Sequence, residues 1–186
     1  MKYLEQYKQI HRGKKYGISG DQLVEPLSKI ITKHKSLLDF GAGQSNTATK
    51  LSKLLGIESV VLYDPAVIGR DMVPLGAYDT VICTDVMEHV PEEEVSQVLT
   101  DIWGYTEEEG EAIFVIALRL AGEVLPNGDN AHCTVQPKEW WESRLREVFV
   151  NVSPLPTLSK NYCLIGYKCT KGDIATNGRE NPAEVV

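Results

Sequence analysis

The sequence predicts one α/β domain built on an open, mostly parallel sheet with helices on both faces and an antiparallel strand at its C-terminal end. Three observations lead there. Short apolar runs rich in β-branched residues alternate with segments of helical period, which implies parallel strands joined by crossover helices. No internal repeat and no linker-like change of composition divides the chain. Its 186 residues, 42% hydrophobic and 24% charged, suffice for one well-buried core and are short for two.

Residues 2–10 read as a short helix and GKKYGISG, residues 13–20, as a glycine-punctuated loop. Residues 22–35 place Leu23, Leu27, Ile30 and Ile31 on one helical face, with Pro26 tolerable only near the first turn. Residues 1–35 thus make an N-terminal helical segment. SLLDF, residues 36–40, is a buried strand that breaks into GAGQSNTA, and residues 48–55 form a helix closed by Gly56. SVVLYD (59–64) and YDTVICTD (78–85) are the next strands. Pro91 opens a helix to about Trp103, with Glu92, Glu93 and Glu94 well placed against its dipole. EAIFVIAL (111–118) is the fourth strand, and after a long polar loop residues 137–147 form a helix with proline in its first turn. VFVNV (148–152) and NYCLIGYKCT (161–170) are the last β-rich stretches. The domain ends near residue 171, and residues 172–186 read as a flexible tail.

Composition narrows the function. No run approaches the roughly 20 apolar residues of a membrane span, and the polar N-terminus MKYLEQYKQIHRGKK has no signal-peptide core. Cys83, Cys133, Cys163 and Cys169 show neither CxxC spacing nor a disulfide framework, which points to reduced thiols and a cytoplasmic location. A net charge of −7 disfavours a nucleic-acid partner, since the only basic clusters are HRGKK, residues 11–15, and the scattered Lys29, Lys33 and Lys35.

The chemistry gathers at strand ends. In LLDFGAGQS, Gly41 and Gly43 let the backbone turn sharply and approach a ligand with no Cβ in the way, and the helix N-terminus beyond offers N–H groups to an anion. Asp64 ends the second strand about twenty residues further on, where a carboxylate can take both hydroxyls of a ribose. With Asp39 and Asp85, three acids stand at three strand ends.

These segments resemble the class I S-adenosylmethionine-dependent methyltransferases. LLDFGAGQSNTA is similar to the family's first motif, VVLYDPA to its second, and YDTVICTDVMEHV to its fourth-strand segment, so the resemblance covers residues 36–118. It implies a Rossmann-like sheet, S-adenosylmethionine as cofactor, and Asp39, Gly41, Gly43, Asp64 and Asp85 around it. A nicotinamide dehydrogenase fits less well, because Asn46 stands where G-x-G-x-x-G needs its third glycine. One departure is plain: residues 65–77 have room for a turn and a short strand at most, where the family fits a helix and its third strand. That shortened region leaves Asp71 as the candidate for the acid beside adenine.

The acceptor side falls in NGDNAHCTVQPKEWW, residues 127–141. His132 follows the fourth strand on the same edge as the three acids, and it is the candidate catalytic base or acceptor ligand. Asn127, Asp129 and Asn130 supply hydrogen-bonding groups suited to a hydroxylated molecule, with Glu88, His89 and Trp141 as further substrate-side candidates. Trp140 and Trp141 point about 100° apart on a helix, so only one can face the cleft. Tyr16 and Ser19, flanked by glycines, form a candidate lid. His11 and His34, in lysine-rich surroundings, read as surface residues. The loop also resembles a bacterial and phage-associated subgroup of small methyltransferases, which implies a sugar or glycan acceptor.

Two other readings stand beside this one. A nucleobase methyltransferase would need the D/N-P-P-Y/F motif or a Pro-Cys nucleophile, and the sequence has neither. A non-catalytic S-adenosylmethionine-binding module would keep the glycines without turnover. No two histidines lie at metal-ligand spacing and MEHV is not HExxH, so no metal site is expected.

Overall fold

The computed structural model describes residues 3–33, 35–158 and 164–172. Residues 173–186 of the predicted tail, residues 161–163 at the start of the last strand (Cys163 among them) and His34 lie outside the described residues. Helix α1 spans Leu4–Gly13, α2 Val24–Ser28, α3 Thr47–Leu55, α4 Val95–Tyr105 and α5 Lys138–Val148. The strands are β1 (Ser36–Phe40), β2 (Ser59–Tyr63), β3 (Tyr78–Thr84), β4 (Thr106–Ala117), β5 (Asn151–Pro154) and β6 (Leu164–Thr170).

They form one sheet in the order β2-β1-β3-β4-β6-β5. The first four strands are parallel, and β6 and β5 add antiparallel pairs at one side. The strand order reverses between β1 and β3, and the crevice outside the carboxyl ends there is where open α/β sheets bind ligands.

Alternation along the strands builds two cores. Leu38, Val81, Cys83, Phe114 and Ile116 face α4 and α5, together with Leu99, Ile102, Trp141 and Leu145. Their strand neighbours Leu37, Ile82, Ile113 and Val115 face the other way, onto Leu27, Ala48 and Leu51. Because successive side chains of a strand point to opposite faces, a run apolar at every position needs helices on both sides. Gly56, with φ of 71°, ends α3 in the left-handed conformation that an L side chain resists.

The segment over residues 22–35 and the placement of Trp141 depart from the sequence expectation. The helix expected over residues 22–35 is a 3-10 turn at Ser19–Leu23 followed by the single short helix α2. Thr32 diverts the chain: its N–H (2.6 Å) and its hydroxyl (2.7 Å) both donate to the buried Glu111 carboxylate at the start of the β4 core, which removes that N–H from any helical ladder. Between β2 and β3 the described residues form turns and no strand, so β2 is the sheet edge. Trp141, a candidate for the substrate side, is fully buried between α5 and the sheet, while Trp140 lies half-buried beneath Arg144 at 5.1 Å. The helical angle between adjacent residues sends the second tryptophan inward. Among the described residues, no helix is long and apolar enough to cross a membrane.

Trp141→Ala is expected to destabilise the protein by about 3–5 kcal/mol in urea unfolding, through lost burial and the cavity left behind. Trp141→Phe should cost distinctly less, because the indole N–H it removes has no hydrogen-bond partner in the core.

Candidate active site

The glycine loop after β1 is braced from three directions. The N–H groups of Gly41 and Ala42 both donate to the Tyr63 carbonyl, at 2.8 and 2.9 Å, and the Gly43 N–H donates to Asp64 Oδ2 at 2.8 Å. The Arg70 guanidinium reaches back to donate to the carbonyls of Gly43 and Ser45, both at 2.9 Å. The Gln44 N–H donates to the Gly17 carbonyl (3.1 Å), fastening the N-terminal segment over the loop. Gly41 and Gly43 have φ of 76° and 51°. A Cβ at Gly41 would come within 2.4 Å of Val86 Cγ2, and one at Gly43 within 2.4 Å of the Gly17 carbonyl oxygen, so both positions exclude a side chain.

One expectation is corrected here. The N–H groups of residues 41–46 are all bonded within the chain, and the Asn46 N–H at the start of α3 donates to Asp21 Oδ1 at 2.9 Å. Asp21, paired with Lys50 at 3.2 Å, is the anion at that helix end. The loop therefore presents a groove free of Cβ atoms rather than a set of open donors.

The acids divide by environment. Asp39 is buried, accepts the Ala48 N–H, and is pushed up to about 7 by burial; it supports the loop from beneath and does not line the cleft. Asp64 lines the cleft, with Oδ1 accepting the Ala66 N–H (2.8 Å) and Oδ2 that of Gly43. Each of its oxygens keeps a second lone pair for a ligand hydroxyl. Asp71 is exposed and accepts the Gly69 N–H in a surface turn, away from the cleft. Asp85, just past β3, holds a left-handed backbone with φ of 60° and accepts the Ser19 hydroxyl. Burial opposes its charge, but hydrogen bonds from Glu88 and Ser19 outweigh that and hold it below the ordinary carboxylate range.

Glu88 has no exposed surface and sits behind Asp85 instead of lining the cleft. Its Oε1 accepts the Ala117 N–H at 2.9 Å. Burial, then repulsion from Asp85, raises it well above the usual range, so it keeps its proton and donates it to Asp85.

On the acceptor side, His89 ends the Met87–His89 turn and His132 lies within the long loop between β4 and α5; their rings meet edge to face with centroids 4.7 Å apart. His89 Nδ1 donates to the Ala131 carbonyl at 2.8 Å, and His132 Nδ1 to the Arg119 carbonyl at 2.6 Å. Burial drives His89 down to about 4, so its ring is neutral. The Tyr7 hydroxyl, from α1, donates to the same Ala131 carbonyl at 2.7 Å. Asn130 points away from the cleft: its Oδ1 accepts the N–H groups of Ala121 and His132, and its Nδ2 donates to the Ala121 carbonyl. Asn127 and Asp129 bond each other at an exposed turn. Thr134 ties the loop to the 87–90 turn through its hydroxyl to the Val90 carbonyl and its N–H to the Glu88 carbonyl.

These elements enclose a cavity of about 490 Å³. Of the sequence candidates, Gly41, Gly43, Asp64, Asp85, His89, His132 and Tyr16 line it; Asp39, Asp71, Glu88, Asn130 and Trp141 do not. Tyr16, pushed up to about 12 by burial and then by the Asp85 charge, is a neutral hydroxyl in its wall. Sequence reasoning missed Tyr7, His11 and Arg70. His11, expected at the surface, lines the cavity because α1 lies across the cleft mouth. The Asp85–His89–His132 cluster was also missed: one ligand atom from each lies within 4.8 Å of the others.

Asp39 makes a pH test available. Its folded value of about 7 lies above the unfolded value, so the native state keeps a proton that the unfolded chain has released. Its contribution to stability therefore falls as pH rises from about 4 to about 7, by up to about 1.4 kcal/mol per unit, and levels off above that. Asp39→Asn should lose this slope, as read by urea unfolding at several pH values against the parent protein.

Known structures share this architecture. The chain superposes on an O-methyltransferase family protein from Burkholderia thailandensis with 12% identity and a TM-score of 0.57, covering 83% of this chain and 59% of that one. It is also similar to 1,6-didemethyltoxoflavin-N1-methyltransferase of the same organism, bound to 1,6-didemethyltoxoflavin and S-adenosylhomocysteine. There identity is 14% and TM-score 0.55, covering 79% and 78% of the two chains. A third likeness is Haemonchus contortus phosphoethanolamine N-methyltransferase 2, in complex with phosphomonomethylethanolamine and S-adenosylhomocysteine. There identity is 10% and TM-score 0.62, with coverage of 91% of this chain and 57% of that one. The chain thus spans under two thirds of the length of the first and third. These likenesses are of fold. No curated protein sequence matches the chain. The family model described as a methyltransferase domain does match, over residues 10–153, a span that takes in the glycine loop, the strand ends carrying Asp64 and Asp85, and both cleft histidines; the chain belongs to that methyltransferase family.

Proposed function

We propose that the protein transfers a methyl group from S-adenosylmethionine to a small, polar acceptor, in the reading supported best by a hydroxyl of a sugar or similar molecule. The carrying observation is the pairing, across one cavity, of a braced glycine loop with Asp64 on one side and the Asp85, His89 and His132 group on the other. Asp64, each of whose oxygens keeps a lone pair, would hold the ribose hydroxyls of the cofactor, and Gly41 and Gly43 would allow its close approach. S-adenosylhomocysteine in the Burkholderia and Haemonchus structures supports that choice of cofactor.

The cavity volume suits roughly one drug-sized ligand, so an acceptor that shares it with the cofactor is small. Within a largely apolar wall, the Asp85 carboxylate, the imidazoles of His11, His89 and His132 and the Tyr16 hydroxyl offer hydrogen-bonding anchors for a hydroxylated molecule. In the reaction the acceptor oxygen forms a bond to the methyl carbon, the carbon–sulfur pair goes to sulfur, and the acceptor loses a proton. Positioning supplies much of the acceleration, since the cofactor brings its own leaving group. His132 eases the loss of the proton: its Nδ1–H is committed to Arg119, which leaves Nε2 with the lone pair.

Asp64→Asn should weaken S-adenosylmethionine binding by about 1–3 kcal/mol in calorimetry, because charged hydrogen bonds to the ribose are lost. Equal affinity would remove Asp64 from the cofactor site. His132→Ala should leave cofactor affinity intact and lower turnover by roughly 10²–10⁴-fold, measured with labelled methyl donor on a panel of hydroxylated acceptors. Cofactor binding with no transfer to any acceptor would favour a non-catalytic binding module.

A further inference from the structure

We infer that Asp85, His89 and His132 form a site for one divalent transition-metal ion at the acceptor end of the cleft. The three come from a strand end, a turn and a loop, yet one ring nitrogen of each histidine and a carboxylate oxygen of Asp85 lie within 4.8 Å of one another. Ligands at about 2.1 Å from a shared tetrahedral ion stand about 3.4 Å apart, so small side-chain rotations close the set.

The hydrogen bonds around the histidines carry the argument. Each Nδ1 meets a main-chain carbonyl, that of Ala131 for His89 and that of Arg119 for His132. A carbonyl only accepts, so Nδ1 carries a proton in both rings, and in the neutral imidazole the lone pair is on Nε2. Metal-binding imidazoles are typically held this way: the far N–H rests on a carbonyl or carboxylate, which sets the tautomer and aims the ring. Among the described residues neither Nε2 takes part in a hydrogen bond, and neither ring bonds to Asp85. The three side chains thus converge without satisfying one another. Asp85 is supported from behind as well, by the Ser19 hydroxyl.

Two nitrogens and one carboxylate select the ion class. Zn²⁺, Co²⁺, Mn²⁺ and Fe²⁺ take such sets, whereas Mg²⁺ and Ca²⁺ require oxygen ligands. Three protein ligands leave at least one position open to the cavity. Resting on the methyl-transfer reading, that position takes the acceptor's hydroxyl, which narrows the substrates to those with an oxygen able to ligate a metal, such as a hydroxyl beside a carbonyl or a second hydroxyl. The bound hydroxyl releases its proton to water, its oxygen bonds the methyl carbon, and the carbon–sulfur pair leaves with sulfur. His132 then acts through the ion it holds.

The test uses the full chain, stripped with chelator and titrated calorimetrically with ZnCl₂, with CoCl₂ absorption reporting nitrogen ligation. One equivalent should bind and raise the melting temperature. His89→Ala and His132→Ala should each weaken binding by roughly 100-fold or more and abolish that rise. Asp85→Asn, which preserves size, should also weaken it, so the outcome remains legible where a histidine variant fails to fold. Absence of stoichiometric binding, or parental affinity in the folded variants, overturns the site. S-adenosylmethionine affinity is measured separately: protein that binds the cofactor but not Zn²⁺ overturns the metal site alone, and protein that binds Zn²⁺ but not the cofactor overturns the methyl-transfer reading alone.

Discussion

The Asp64 carboxylate accepts the N–H of Gly43 with one oxygen and that of Ala66 with the other, and the cleft is arranged around this brace. It joins the end of β2 to the loop after β1, two parallel neighbours whose side-by-side ends would otherwise leave the loop's amides without partners. Arg70 completes the clamp by taking two of the loop's carbonyls. The shortened segment between β2 and β3 thus retains a structural purpose. It turns back far enough to bring one guanidinium onto the glycine loop, with no need for another strand.

The opposite wall is held by a separate network. Thr134 and Asn130 give up their side-chain hydrogen bonds to the backbone, which fixes the long loop against the 87–90 turn and against Ala121. Glu88, neutral and enclosed, links the Ala117 amide at the end of β4 to Asp85. The N-terminal segment spans both walls: Gly17 packs on Gly43, Ser19 donates to Asp85, and Tyr7 bonds Ala131. A strained Asp85 backbone persists because so many neighbours hold it.

Much of this was legible in the sequence. Strand and helix order followed from hydrophobic period, and the parallel sheet from their alternation; Gly41, Gly43 and Asp64 were placed by local spacing, because a strand, a turn and a helix start are contiguous in the chain. Errors arose where a distant partner decided. The helix after Gln22 stops because Glu111, far along the chain, captures Thr32. The α3 N-terminus looked open to an external anion, yet Asp21 already occupies it. Asn130 carries the right groups for a substrate and spends them on its own loop.

By itself, then, the sequence determined the sheet, the glycine turn and the edge on which chemistry sits, since these depend on period and on backbone freedom within a few residues. Only the tertiary structure decided which polar residues face the cavity. His89 and His132 stand far apart in the chain and touch because β3 and β4 are adjacent parallel strands whose following segments fold over the same end. Trp141 and Trp140 differ by one position and lie on opposite sides of burial, as helix rotation requires. Long-range pairing places such groups, and no local pattern in the chain records it.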